Sequence, residues 1–558
     1  MKLASALLLT VLVSAPAFAQ EPPKRAALEG VVTKDPDGQP VKKGLIELIA
    51  DNQSEAGNYT TVTAPDGTFR IDNIVPGRYH LFAERTGLLD IEKQRGHTDG
   101  RILTLAAGQE VKDLRLRLQA AAVVRGRVTD EDGDPLPNAE VTVLRETFVA
   151  GHEHWEQAGA ERTNDLGEYR IANLAAGNVY ISVSPPPDFK SLIENAGTAA
   201  RDAHSANASE KAATTTYQTT YYPGTPDRSQ ATPIQVHAGD EFPANFSLTP
   251  APSLSIRGSV INVPPRASAT IMLQSRDFSL ILNGAEMYKD GSFIIHDVSP
   301  GSYTILATIE GSAVPMMARQ SLQVGSTNVE GLRLSPQPGT TVQGRVRLEG
   351  GFARFDPERV FLALQPVDPE QDQTILAGRE TFSNLAHLAP DGGFQWTDVP
   401  AGNYYVQVMG SGDANQAWFV KSALAGGRDV SESGIALSGG TASLDLVINS
   451  NGGLVEGVAV DHNGEPVANA VVVAVPESRL RARTDHYRRT VSDQSGRFTL
   501  RGIRPGDYTI FAWESVDGEA YYNPDFLKIY DGQGSALRVA EGERKTLQLE
   551  VIESGQSD

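Results

Sequence analysis

The densest group of metal-ligating side chains in the chain is HEHWE, residues 152–156. On a strand, His152 and His154 would share one face with Glu153 and Glu156 close by, which is the raw material of a metal site. A polar loop between strands accounts for the same residues, so these two histidines are weak metal candidates, and no cofactor is expected. His462-Asn463-Gly464-Glu465 has the His-x-x-Glu spacing of a zinc ligand pair, but it falls inside an Asp-Gly turn and lacks a third ligand, so it is read as a chance match. Asp130, Asp132 and Asp134 offer oxygens to calcium. Gly133 comes two places early for an EF-hand loop and no Glu closes it, so Asx turns explain these residues more simply. Phosphate-loop, dinucleotide and nucleophile-elbow motifs are not found, and the chain is expected not to be an enzyme.

The other chemistry on offer is stacking. Sugars bind by laying CH faces on exposed aromatic rings, with neighbouring polar groups fixing their orientation. TYYPGT (220–225) and AYYNPDF (520–526) occupy corresponding places in two parts of the chain. With the nearby tryptophans they make Trp155, Tyr221, Tyr222, Trp513, Tyr521 and Tyr522 the candidate ligand-binding residues. Trp513 alternates with Phe511 and lies opposite Tyr508 and Ile510, which puts it on an outer sheet face or a domain contact. Trp396 shares the face of Phe394 and is expected in a core. The competing reading is that all these rings pack loops over domain ends.

The elements that must position these residues repeat five times. GTFRIDNIVPGRYHLF (67–82), GEYRIANLAAGNVYIS (167–182), GSFIIHDVSPGSYTIL (291–306), GGFQWTDVPAGNYYVQ (392–407) and GRFTLRGIRPGDYTIF (496–511) share one frame. Each opens with Gly at a turn, and an aromatic follows two residues later: Phe69, Tyr169, Phe293, Phe394 or Phe498. An apolar residue at the next alternate position (Ile71, Ile171, Ile295, Trp396, Leu500) puts both on one strand face. A second Gly, in Pro-Gly or Ala-Gly, is expected to take a left-handed turn into the next strand. Upstream, each copy has a first strand with a central Gly: LEGVV, VRGRV, IRGSV, VQGRV and VEGVA. About seven short strands per roughly 100 residues, with no convincing amphipathic helix, spell a β-sandwich.

The run G-x-V-x-D-x-x-G-x-P-[VL]-x-x-A, then D-x-G-x-[FY], then P-G-x-Y, resembles the carboxypeptidase regulatory-like domain, a prealbumin-like and starch-binding-like sandwich similar to the B-type repeats of bacterial collagen adhesins. The likeness is clearest in VRGRVTDEDGDPLPNAEVTV and VEGVAVDHNGEPVANAVVVAV and weaker in the third and fourth copies. The resemblance implies an all-β chain of five tandem antiparallel sandwiches and is nearly silent on function. The peptidase domain that the family name evokes is absent from the sequence. Domains of the adhesin type sometimes carry a Lys–Asn isopeptide bond, and the first strands here offer no matching apolar-flanked Lys.

Length, composition and punctuation set the limits. Lys2, the apolar run 6–13 and Ala17-Phe18-Ala19 form a secretory signal peptide over 1–19. The apolar run is too short for a retained spanning helix, and no later stretch reaches roughly 18 apolar residues, so direct membrane insertion is not expected. Zero cysteines exclude disulfides, thiolate nucleophiles and Cys-ligated zinc. The formal charge of −20 argues against nucleic acid as a partner. The 558 residues exceed one core, and the repeats divide them into sandwiches over 20–120, 121–250 (with a polar insertion at 187–220), 251–338, 339–451 and 452–558. Residues 366–388 read as a second polar insertion. Each unit is expected to be a separate bead with its own core.

The resulting expectation is an exported, non-catalytic, multi-domain protein of the periplasm or surface of a bacterium. Its ligand is a carbohydrate, by likeness to starch-binding folds, or its role is that of a stalk or scaffold for another envelope protein such as transport or secretion machinery.

Overall fold

The computed structural model describes residues 24–51, 57–91, 100–185, 215–252, 254–275, 281–298, 300–312, 314–350, 360–367, 384–410 and 418–553. The expected signal peptide, most of the 187–220 insertion and the centre of the 366–388 insertion lie outside these residues. Where their ends are described they pair as strands: Thr215–Tyr217, Thr220–Tyr221, Val360–Pro366 and Leu385–His387.

The chain is all-β, built of two-sheet sandwiches. In sandwich 1, one sheet runs Thr68–Ile74, Ala26–Asp35, Glu110–Ala120, Leu88–Asp90. It faces a second sheet of Tyr59–Val62, Leu45–Ala50, Gly77–Glu84 and Arg101–Leu105. Five apolar clusters, one per sandwich, fill the spaces between sheets. One pairing departs from the antiparallel pattern of the sheets. In every sandwich the first strand pairs antiparallel on one side and parallel with the last strand on the other. First and last strands of a unit are therefore neighbours, and each unit closes on itself.

The repeated residues acquire individual roles from this pairing. The first-strand glycine sits directly opposite the repeat aromatic in all five copies: Gly30 and Phe69, Gly126 and Tyr169, Gly258 and Phe293, Gly344 and Phe394, Gly457 and Phe498. The ring folds across the glycine, while a carbonyl of the parallel strand approaches from the other side. A Cβ on Gly457 would lie 2.6 Å from Phe498 Cζ and 2.1 Å from the Leu547 carbonyl oxygen. Only glycine fits where ring and backbone both come this close.

The turn glycines Gly67, Gly167, Gly291, Gly392 and Gly496 all have φ between 72° and 84°, as the Asp-Gly signal requires. The second glycine of each repeat behaves otherwise: of those five, only Gly177 has positive φ. The left-handed residue instead lies four places earlier, at Asn73, Asn173, Asp398 and Gly502. There a register shift of the pairing marks a bulge. Asn, Asp and Gly are the types that tolerate this conformation. The bulge, rather than the Pro-Gly pair, redirects the chain.

Independence of the sandwiches holds for their cores but not for their surfaces. Sandwich 5 touches sandwiches 1, 2 and 4 by hydrogen bonds, ion pairs and apolar packing.

Candidate functional site

Trp155 lies on the edge strand His152–Arg162 of sandwich 2 and is 8% exposed. Its ring stacks on Tyr180 with centroids 4.2 Å apart and meets Tyr221 edge-on at 6.1 Å. The Arg228 guanidinium covers it at 4.1 Å, a cation–π contact. Leu144 completes this small cluster on the outer face of the sheet. Tyr222 packs edge-on against Phe242 and Phe246 and belongs to the core side. His152 is exposed and His154 half-buried. Burial holds His154 below its ordinary range, with Arg228 acting the same way and Glu156 against. No group of three or more His, Cys, Asp or Glu able to hold an ion occurs among the described residues. The turn carboxylates are occupied by backbone: Asp130 Oδ1 accepts from Asp132 N at 3.1 Å and Asp134 N at 2.8 Å. Asp461 Oδ1 accepts from Asn463 N and Glu465 N, each at 2.8 Å.

Trp513, Tyr521 and Tyr522 belong to a second outer-face cluster, on sandwich 5. Val471, Val473, Val475, Phe511 and Trp513 line the outward side of its sheet. Tyr487, Tyr521 and Leu527 of the helix Pro524–Ile529 cover them. Asn523 caps that helix, accepting from Asp525 N at 2.8 Å, the usual preference at a helix start. Trp513 is 1% exposed, stacks on Phe511 at 4.9 Å and meets Tyr530 edge-on at 5.7 Å. Its indole Nε1 is buried with no hydrogen-bond partner among the described residues.

The Tyr-Tyr segment of sandwich 5 is also a seam. Phe148, at the hairpin tip of sandwich 2, packs onto this cluster. Ala150 N donates to Glu519 Oε2 at 2.7 Å, and Glu519 N donates back to the Phe148 carbonyl at 3.0 Å. Gly151 is needed here: its φ is 79°, and a Cβ would lie 2.6 Å from the Tyr522 carbonyl carbon. Trp155, Tyr221, Trp513 and Tyr521 have their faces against other side chains, because strand alternation turned them outward and neighbouring loops then covered them.

Two further seams escaped the sequence reading. Against sandwich 4, Asp485 receives Arg483 through two bonds of 2.8 and 2.9 Å and Arg504 through one of 2.6 Å. Burial alone would raise the Asp485 carboxyl, but Arg504 and Arg483 hold it at about 2. Arg504 Nη1 lies 2.9 Å from His486 Nε2. An arginine can only donate, which assigns Nε2 as the unprotonated acceptor. Burial, reinforced by Arg504, pushes His486 down to about 3. Arg483 also donates to the Ser431 carbonyl of sandwich 4 and lies over the Tyr405 ring at 4.0 Å. Glu541 of sandwich 5 accepts from Asn449 Nδ2 at 2.9 Å and pairs with Lys421 at 3.3 Å.

Against sandwich 1, side-chain amides take the place of a strand. Gln494 accepts from Thr104 N at 3.0 Å and donates to the Thr104 carbonyl at 2.8 Å. Asn469 Oδ1 accepts from Ile102 N at 3.3 Å. Both backbone groups lie on Arg101–Leu105, the outermost strand of its sheet. One signal could have pointed to the first of these seams: RLRARTDHYRR (479–489), dense in arginine, has no counterpart in the other copies. Nothing local marks Asn469 or Gln494.

A model of the carboxypeptidase regulatory-like domain family matches residues 27–119, 123–191 and 455–547. No curated protein matches the chain. Among solved structures, the Bacillus anthracis TIE protein aligns at 13% identity over 56% of this chain, with a TM-score of 0.16. The chain spans about half (51%) of that protein's length. The major pilin subunit BcpA of Bacillus cereus aligns at 11% identity over 78% of this chain and 100% of its own, with a TM-score of 0.14. The minor pilin GBS52 of Streptococcus agalactiae aligns at 11% identity over 41% and 97%, with a TM-score of 0.22.

Proposed function

Three of the five sandwiches belong to the carboxypeptidase regulatory-like domain family, and on that premise we propose that this is an exported, non-catalytic protein that holds or spaces another protein of the cell envelope. The observation that carries this reading is what the aromatic candidates do. Trp155, Tyr221, Trp513 and Tyr521 are each at most 8% exposed and pack loops and seams, so the stacking platform that favoured carbohydrate is spent on internal contacts. What the sandwiches offer outward is strand edges and polar loops, the surfaces by which sheet proteins meet other proteins. The Arg483, Arg504, Asp485 and His486 side chains bond to one another within the seam, and the group serves as a contact between sandwiches. No helix among the described residues is long and apolar enough to cross a membrane, and delivery rests on the leader at 1–19.

The test is a glycan screen of the mature protein alongside in-cell crosslinking read by mass spectrometry. The expected result is no saturable glycan binding and recovery of one envelope protein. Saturable glycan binding that disappears in Trp155→Ala would overturn the reading and restore carbohydrate as the ligand.

A further inference from the structure

Three guanidiniums meet one carboxylate at the seam between sandwiches 4 and 5. Arg483 and Arg504 share Asp485, and their side chains are 4% and 9% exposed. Arg488 stands beside them with carbonyls for acceptors. Its Nη1 donates to those of Asp485 and Tyr487 at 2.8 and 2.7 Å, and its Nε to that of Gly502 at 3.1 Å. Among the described residues no carboxylate other than Asp485 bonds to any of the three, and His486 is neutral. Three positive charges against one negative leave an excess of two. Buried charges in folded proteins are paired, because an unpaired one is strongly unfavourable.

One donor of the group is also unused. Arg504 Nη1 and Nη2 engage His486 and Asp485, but Nε is buried with no hydrogen-bond partner among the described residues. Buried donors are nearly always satisfied. Burial lowers the Arg504 guanidinium to about 10; Asp485 opposes this, while Arg483 and Arg488 add to it. It stays charged at neutral pH, in a place that lacks negative charge. The imbalance belongs to this sandwich alone. The place of Arg504 in the repeat is held by Val75, Ala175, Ser299 and Pro400 in the other copies. Arg483, Asp485, His486 and Arg488 lie in the segment 479–489, which has no counterpart there.

We propose that the seam binds one small monovalent anion, of the class of chloride, seated on Arg504 Nε. A water molecule would satisfy the donor but not the charge; an anion does both. The two Nη nitrogens that could complete a fork for a carboxylate or a phosphate are already engaged, so a monatomic ion suits the remaining single donor better than an oxoanion. Arg483 also holds the Ser431 carbonyl and the Tyr405 ring of sandwich 4. Neutralising the group therefore ties closure of the seam to anion concentration. The site is independent of the protein-partner reading.

Chloride is the probe, exchanged for gluconate at constant ionic strength in the mature protein, and hydrogen exchange at the Ser431 segment is the readout. Exchange should slow saturably with chloride, by roughly tenfold at ten times the half-saturating concentration. Arg504→Met removes both the donor and one of the excess charges and should abolish that response. Equal exchange in chloride and gluconate overturns the proposal, as does a chloride response that persists in Arg504→Met. Should that variant fail to fold, bromide diffused into crystals of the unaltered protein decides by anomalous scattering. A peak within hydrogen-bonding reach of Arg504 Nε supports the site, and a map without one sinks it.

Discussion

Sandwiches 2 and 5 are the clearest copies of the repeat, and both carry a second aromatic cluster on the outside of a sheet. In sandwich 2 the cluster is small: Trp155, Leu144 and Tyr221 with Tyr180, closed from above by Arg228 of the same sandwich. In sandwich 5 it is large and needs a helix of its own plus Phe148 from sandwich 2 to close it. Two copies of one template thus differ in whether the outer face is finished locally or by a neighbour. The shared residues (turn glycines, the glycine–aromatic pair, the alternating core) build each sandwich; the unshared loops decide what it touches.

The comparison breaks most visibly at the two tryptophans. Trp513→Ala should destabilise sandwich 5 by about 3–5 kcal/mol, the range for a fully buried aromatic, and loosen its contact with sandwich 2. Trp155→Ala should cost less, under about 3 kcal/mol, because neighbours at an edge strand can collapse into the space. Scanning calorimetry of the two variants gives the ranking, and equal losses would erase the distinction between the clusters. Trp513→Phe should be mild, since the indole N–H it removes has no partner among the described residues.

Acid separates the same two sandwiches. His486 is held neutral in the folded protein down to about pH 3, whereas the unfolded chain takes up that proton near the usual histidine value of about 6.5. The unfolded state therefore binds more protons in that interval, and stability falls as pH falls from about 6.5 toward 3, by up to about 1.4 kcal/mol per pH unit. Asp485, held at about 2, adds a loss below the ordinary carboxylate range, from about pH 4 downward. His154 is shifted the same way but is half-buried, so sandwich 2 should weaken less. Denaturant titrations at pH 7, 5 and 4 measure this, and His486→Gln should flatten the dependence above pH 4.

Asp485→Asn strands Arg483 and Arg504 in the seam and should cost about 3–5 kcal/mol locally, as removal of one partner of a buried pair does. Less of it will appear in global unfolding if sandwich 4 separates first, so a loss of protection at the Ser431 segment is the cleaner readout. The smallest effect is expected at the other seam. Gln494→Ala removes two hydrogen bonds to Thr104, worth about 1 kcal/mol each. Hydrogen exchange at the Thr104 amide should accelerate by up to roughly thirtyfold, and unchanged protection would show that this amide is not sealed by Gln494.

Much of the fold is legible in the residues because its determinants are local. An Asp-Gly dipeptide fixes a turn, and an aromatic two places on with a glycine upstream fixes register, through contacts inside one sandwich. Trp396 reads as core from its alternation with Phe394, and it is 1% exposed. The site is harder for an equally physical reason. Alternation tells which sheet face carries Trp513, as it tells which face carries Trp155, but not what lies over that face. The covering groups come from Phe148, some 365 positions away for Trp513, or from Arg228 beyond an insertion. The carboxamides of Asn469 and Gln494 look like ordinary loop residues until the strand they cap is placed beside them.

That cap has a consequence in time. The seal on Thr104 is contributed by a residue 390 positions further along the chain, so it cannot form until the last sandwich has been made and folded. Until then the strand Arg101–Leu105, with Ile102 turned outward, presents an open row of peptide groups that any passing extended chain could join. The first domain to emerge is the last to be finished, and anything that escorts this protein during its synthesis has that edge to guard.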